Sequence, residues 1–236
     1  MTYVMSDLHG CYDKFLQMLE LIQFSDEDDL YLLGDFVDRG DEPIPLLLDC
    51  MERINVYPLL GNHEAMFRGT VMDLPPEATL DTILDYLSYP QQELYTQWMQ
   101  NGGEITLRQY MALPPQQRAD VLAYLQEFRL YETCEVRGVP FVLTHSGLDD
   151  FSPERPLEDY PADAFLNARP VPSAEFYDDK FMVFGHTPTL TYPELHGKAE
   201  VIFKKTYINI DCGAVFTESG GKLACLCLEN GKEFYV

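Results

Sequence analysis

Apolar and polar positions along this chain follow two alternating periods. Thr2 to Met5 is a short apolar run that reads as a strand and leads directly into SDLHG. From Cys11 to Gln23 the apolar residues Phe15, Leu16, Leu19 and Ile22 fall on one helical face. DLYLLGD reads as a second strand, Pro43 to Ile54 as a helix with proline in its first turn, and Asn55 to Leu60 as a third strand ending in GNHE. Strand, helix, strand, helix, strand predicts a βαβαβ unit with a parallel sheet.

The pattern then changes. Residues 67–129 carry helical periodicity cut by LPPE, YPQQ, NGGE and LPPQQ, which predicts several short helices forming a cap-like insertion. Leu130 to Val136 and Val139 to Thr144 flank an Arg-Gly pair and predict a hairpin, its second strand ending in THSG. A Pro-rich stretch with a short helix near 162–168 precedes DKFMVFGHTP, another apolar strand closed by Gly and His. Val201 to Phe203, Tyr207 to Asp211, Lys222 to Leu228 and Lys232 to Val236 read as further strands. The whole, residues 1–236, is expected to be one α/β domain.

Open parallel sheets bind ligands beyond the carboxyl ends of their strands. Asp7 and His9, then Asp35, Asp38 and Arg39, then Asn62, His63 and Glu64 all fall at such ends, so three polar clusters should converge. Four of the five histidines (His9, His63, His145 and His186) directly follow a predicted strand; His196 sits in a loop. Asp7 and His9, spaced i, i+2 in an extended segment, would point to the same side and reach one ion. Asp35 could bridge two ions, with Asn62, His145 and His186 supplying the second. Carboxylate with imidazole suits manganese, iron or zinc better than calcium or magnesium. His63 would face away from Asn62 as a candidate general acid, Asp38 as its carboxylate partner, and Arg39 would present a fork that matches phosphate oxygens.

Composition narrows the partners. A net charge of −23 and a pI near 4.3 disfavour nucleic acid and anionic membranes, which both need a basic patch. An anionic substrate then needs a local positive focus, which bound cations would supply. Six cysteines without a CxxC pair read as free thiols, and Cys225 and Cys227 should share one face. The first residues lack a signal-peptide pattern, so a cytoplasmic location is expected.

SDLHG (6–10), GDFVDRG (34–40), GNHE (61–64), THSG (144–147) and FGHT (184–187), in this order, resemble the phosphoprotein phosphatase family of calcineurin-like metallophosphoesterases. WMQNGGEITL (98–107) and INIDCGA (208–214) look like segments of its bacterial serine/threonine phosphatase members. The resemblance, carried by five motifs in order, implies an αββα sandwich with two metals at the strand ends. It implies Asp7, His9 and Asp35 on one metal, and Asp35, Asn62, His145 and His186 on the other. His63 would be the general acid, Asp38 its partner and Arg39 a phosphate clamp. A second phosphate-binding arginine is expected at Arg169, with Arg155 as the rival. Ser6 stands where the family has Gly, and Pro188 replaces a ligand of the wider superfamily. The implied activity is a two-metal phosphomonoester hydrolase, manganese being the first expectation, that uses a hydroxide shared by the ions on phosphoserine, phosphothreonine or phosphotyrosine in proteins. The alternative is a symmetrical dinucleoside-tetraphosphate hydrolase, for which the Tyr-rich segment 86–131 could supply a base pocket. A phosphate-sensing scaffold with a dead site is the non-enzymatic reading.

Overall fold

The computed structural model describes residues 1–236. Strands β1 (Thr2–Met5), β2 (Asp29–Leu32) and β3 (Val56–Pro58) alternate with helices α1 (Tyr12–Leu21) and α2 (Pro43–Met51). β1 pairs parallel with β2, and β2 with β3, so the expected βαβαβ unit is present. Helices α3 (Asn62–Val71), α4 (Ile83–Tyr86), α5 (Tyr89–Gln100), α6 (Glu104–Met111) and α7 (Pro115–Gln126) follow. The hairpin β4 (Tyr131–Val136) and β5 (Val139–Thr144) leads through α8 (Ala162–Leu166) to β6 (Phe181–Phe184). The chain ends in β7 (Ile202–Phe203), β8 (Tyr207–Asn209), β9 (Ala224–Cys227) and β10 (Lys232–Tyr235).

The strands form two five-stranded sheets, ordered β10-β9-β1-β2-β3 and β4-β5-β6-β8-β7. Side-chain alternation shows how they stack. On β1, Tyr3 and Met5 join the core beneath the helices, whereas Val4 joins the core between the sheets. On β9, Cys225 and Cys227 face the helices and Ala224 and Leu226 face the other sheet. On β6, Val183 points inward and Met182 and Phe184 point to the outer core. The result is the αββα sandwich. Its last layer is thin, with Tyr160, Ala164 and Phe165 from α8 and the chain before it covering Phe184 and Tyr207. All six cysteines are free thiols.

Two boundaries differ from the sequence expectation, and both matter for the site. The third strand ends at Pro58 rather than Leu60, with Leu59 N–H still donating to Leu32 O at 2.8 Å. Leu60 N–H then turns to Arg129 O at 2.8 Å, linking the end of this strand to the chain entering the second sheet. The first helix after it begins at Asn62, five residues before the predicted onset at Phe67. Gly61 is extended, and the Glu64 side chain accepts its N–H at 3.1 Å, which starts the helix within the GNHE motif itself. The helical segment packs on the same core as the βαβαβ unit: Trp98, Leu107, Val121 and Leu125 cluster with Met5, Phe15 and Leu47. No helix is long and apolar enough to cross a membrane.

The stacking makes a stability prediction. Leu226, 1% exposed between the sheets, should cost about 2–5 kcal/mol when replaced by Ala. Leu16, 41% exposed on α1, should cost about 1 kcal/mol or less in the same substitution. Urea unfolding of both variants checks this; equal losses would contradict the inter-sheet placement.

Candidate metal and phosphate site

Asp7 and His9 follow β1, Asp35, Asp38 and Arg39 follow β2, and Asn62 and His63 open α3. His145 follows β5 and His186 follows β6. Ten non-glycine residues have positive φ, and six of them are Asp7, His9, Asp35, Asp38, Arg39 and His186. Each such residue costs about 1 kcal/mol or more, so the backbone strain of the chain is concentrated here. This corrects the expectation that Asp7 and His9 share an extended segment: both are left-handed, at φ 53° and 44°. They enter the site through a turn zipped to its neighbour. Asp7 N–H donates to Gly34 O (3.1 Å), His9 N–H to Asp35 O (2.8 Å) and Gly10 N–H to Phe36 O (2.7 Å).

The second turn is held by Glu64, a residue given no role from sequence. Its buried carboxylate accepts four backbone N–H groups: Asp35 (2.8 Å), Phe36 (2.8 Å), Val37 (3.1 Å) and Gly61 (3.1 Å). Burial pushes Glu64 up to about 7 while those N–H groups pull it down. Asp35 is fixed from the other side, its Oδ1 accepting His63 N–H at 3.1 Å. The start of GNHE therefore positions Asp35 as well as supplying its own side chains.

Two groups of donor atoms lie within 4.8 Å of one another: His9, Asp35 and His63, and Asp35, His145 and His186. Asp35 belongs to both. His9 Nδ1 lies 2.9 Å from Val37 O and His145 Nδ1 lies 2.8 Å from Leu33 O. Each Nδ1–H donates to its carbonyl, which leaves the Nε2 lone pairs facing the site. His145 Nε2 is 3.0 Å from both Asn62 Oδ1 and His186 Nδ1, and 3.5 Å from Asp35 Oδ1. Burial lowers His9, His145 and His186, the last to about 2, so these imidazoles are neutral. Burial, with the charges of Glu64 and Asp7 beside it, pushes Asp35 well above the usual carboxylate range. Lone pairs and carboxylates crowd one buried region with little cationic compensation. That is a donor set that fits divalent cations of the manganese, iron or zinc kind. Asp7 lies outside both tight groups, its Oδ2 accepting His186 N–H at 2.9 Å.

His63 and Asn62 part company at the start of α3. Asn62 Oδ1 turns to His145, while His63 Nδ1 lies 2.5 Å from Asp38 Oδ2. Burial pushes Asp38 up to about 7 and His63 down to about 2. Neither group carries charge easily in this buried position, and His63 Nδ1–H donates to Asp38 Oδ2 along this short contact. Trp98 Nε1–H and Thr106 Oγ1–H also donate to Asp38, at 2.8 Å and 2.6 Å. Sequence reasoning missed both residues, although WMQNGGEITL stood out as a family-like stretch.

Arg39 reaches inward, Nη1 to His9 Nε2 at 2.7 Å and Nη2 to His63 Nε2 at 3.0 Å. Arg169 lies beside the FGHT turn, Nη1 donating to Thr187 Oγ1 at 3.2 Å. Arg155 is engaged elsewhere, over the Tyr160 ring at 3.9 Å. A further buried carboxylate, Asp211, accepts Gly213 N–H at 2.8 Å and feels the Asp7 charge. A surface concavity of about 920 Å³ lies among Tyr31, Arg53, Tyr57 and Tyr124 and contains none of these residues. Chemistry rather than volume marks the site.

The shared position of Asp35 predicts that Asp35→Ala removes both metal equivalents from the purified protein. Metal analysis checks this, and retention of two metals per chain would contradict it.

Comparisons with known proteins agree with this architecture. A symmetrical bis(5'-nucleosyl)-tetraphosphatase from Acidovorax ebreus (strain TPSY) is 29% identical over 165 residues, covering 64% of this chain and 59% of the relative. One from Pasteurella multocida (strain Pm70) is 32% identical over 106 residues, covering 42% and 37%. The chain thus spans less than two thirds of the length of these curated relatives. A crystal structure of a candidate diadenosine tetraphosphatase superposes with a TM-score of 0.65 at 18% identity, covering 100% of this chain and 92% of that one. A serine/threonine phosphatase from Saccharomyces cerevisiae gives 0.57 at 15% identity, covering 100% and 78%. The calcineurin-like phosphoesterase family model matches residues 2–212, covering every strand end that builds the site, and the chain belongs to that family.

Proposed function

We propose that this chain is a metal-dependent phosphoester hydrolase whose substrate is a dinucleoside tetraphosphate, split symmetrically. The observation that carries the hydrolase reading is the convergence of His145 Nε2, His186 Nδ1, Asn62 Oδ1 and Asp35 around one point, next to the His63–Asp38 pair. The substrate reading rests on the curated relatives, which are named for that activity. It replaces a protein phosphatase as the first choice from sequence. Residues 1–236 act in this reading as one unit, with 67–129 as an insertion that shapes the site.

Asp7, His9 and Asp35 would hold one divalent cation, and Asp35, Asn62, His145 and His186 the second. When bound, such a pair lowers the pKa of water and neutralises phosphoryl charge. The chain's own residues do the rest. Glu64 and the left-handed turns fix the ligand directions before substrate arrives, so little reorganisation is needed. Arg39 and Arg169 present guanidinium groups to phosphate oxygens, a local positive focus in a chain of net charge −23. His63, held by Asp38 at Nδ1, takes a proton from solvent at Nε2 once Arg39 turns from it to phosphate, and gives that proton to the departing oxygen. No serine or cysteine is required as a nucleophile; burial pushes the Cys11 thiol up to about 11, which makes it a poor one.

The test is turnover by manganese-loaded protein of diadenosine tetraphosphate, a phosphopeptide and p-nitrophenyl phosphate, with the nucleotide products identified. Preferred cleavage of the dinucleotide to two ADP is the expected result. Turnover of the phosphopeptide alone would restore the protein-phosphatase reading. His63→Asn should keep its metal and lose about 100-fold or more in kcat on substrates with poor leaving groups.

A further inference from the structure

The helical segment reaches the site through one short stretch, residues 98–106. Trp98 Nε1–H donates to Asp38 Oδ2 (2.8 Å), and Thr106 Oγ1–H donates to Asp38 Oδ1 (2.6 Å). Thr106 Oγ1 also accepts Asp38 N–H at 2.9 Å. The same stretch holds the next residue: Arg39 N–H donates to Gly102 O at 3.1 Å, and Arg39 Nε–H to Asn101 O at 3.4 Å. Two glycines permit this approach. Gly102 has φ +95°, and a Cβ there would lie 2.9 Å from Arg39 Cγ. A Cβ on Gly103 would lie 2.5 Å from the Trp98 ring.

Trp98 is the only tryptophan, is fully buried, and stacks on Phe67 with centroids 5.3 Å apart. Phe67 lies one turn along α3 from His63. The indole therefore spans from the helix that carries His63 to the carboxylate that His63 meets. An apolar residue would fill the same space but leave a buried carboxylate oxygen short of a donor, which is costly. With Trp98, Thr106 and His63 all directed at it, Asp38 has one orientation in which every buried oxygen is satisfied.

We propose that Trp98 and Thr106 are positioning residues for proton transfer, holding Asp38 so that Oδ2 accepts His63 Nδ1–H and Nε2 is the nitrogen turned to substrate. This rests on the reading of His63 as proton donor. In the structure His63 Nε2 accepts Arg39 Nη2–H at 3.0 Å, so it takes a proton from solvent when Arg39 turns to phosphate. As the phosphorus–oxygen bond to the leaving group breaks, that proton passes to the departing oxygen and the ring returns to the Nδ1–H form on Asp38 Oδ2. The helical segment then does more than cover the site: its 98–106 stretch sets both the proton donor and, through Arg39, the phosphate clamp.

Trp98→Phe keeps the stacked ring and removes the N–H. Thr106→Val keeps the shape and removes the hydroxyl, and Thr106→Ser returns it. Each of the first two should lower kcat on an alkyl phosphate about tenfold, with KM and metal content unchanged. On p-nitrophenyl phosphate, whose leaving group needs little protonation, the change should stay within about twofold. Thr106→Ser should recover the loss, and in a His63→Asn background neither substitution should matter further. Equal losses on both phosphates, or additive losses in that background, would overturn the proposal. A readout independent of turnover is the ¹⁵N spectrum of the His63 ring. Wild-type protein should hold a single Nδ1–H form and the two variants a mixture, and unchanged spectra would also overturn it. Should no phosphoester be turned over, the hydrolase reading fails while the ring spectrum still decides the positioning claim.

Discussion

The Glu64 carboxylate, buried and shared among four backbone N–H groups, is the interaction on which the site depends. It ties Asp35, Phe36 and Val37 to Gly61, joining the turn after β2 to the start of α3. Val37 O in turn orients His9, and His63 N–H fixes Asp35. Left-handed residues at Asp35, Asp38 and Arg39 would relax without such a clamp. Hydrogen bonds to an ionised acceptor contribute about 1.5–3 kcal/mol each in favourable cases, enough to offset several strained residues.

The clamp has an electrostatic consequence. Glu64 joins buried carboxylates at Asp7, Asp35 and Asp211, with imidazoles that burial keeps neutral beside them, in a chain already strongly acidic. Burial makes each of these charges expensive unless positive charge is supplied. Arg39 supplies part of it. The donor geometry around Asp35 gives divalent cations a place to supply the rest, and under the proposed function the same cations would also meet an anionic substrate. Stability and phosphate chemistry would then draw on one charge balance.

Much of this was legible in the sequence because strand ends carry punctuation. Gly-Asp, Gly-Asn-His and Gly-His at the ends of apolar runs located Asp35, Asn62, His63 and His186, and the parallel unit implied their convergence. What could not be read was conformation within the turns. Asp7 and His9 looked like an extended pair, yet left-handed backbone brings them in, and periodicity carries no signal for φ. Glu64 was visible but its acceptor role was not, since its partners are backbone groups up to 29 positions away. Trp98 and Thr106 lie 60 and 68 residues from Asp38, and local helical periodicity carries no signal for such contacts. The substrate choice also changed, because motifs common to several phosphatase types do not distinguish what leaves from phosphorus.

The central claim is that the Asp35-centred donor set holds a pair of divalent cations. Manganese titration of metal-free protein, followed by elemental analysis and electron paramagnetic resonance, tests it most directly. The account predicts two manganese ions per chain with the spectrum of a spin-coupled pair, as expected for ions about 3.5–4 Å apart. A single uncoupled ion, or no retained metal, would contradict it.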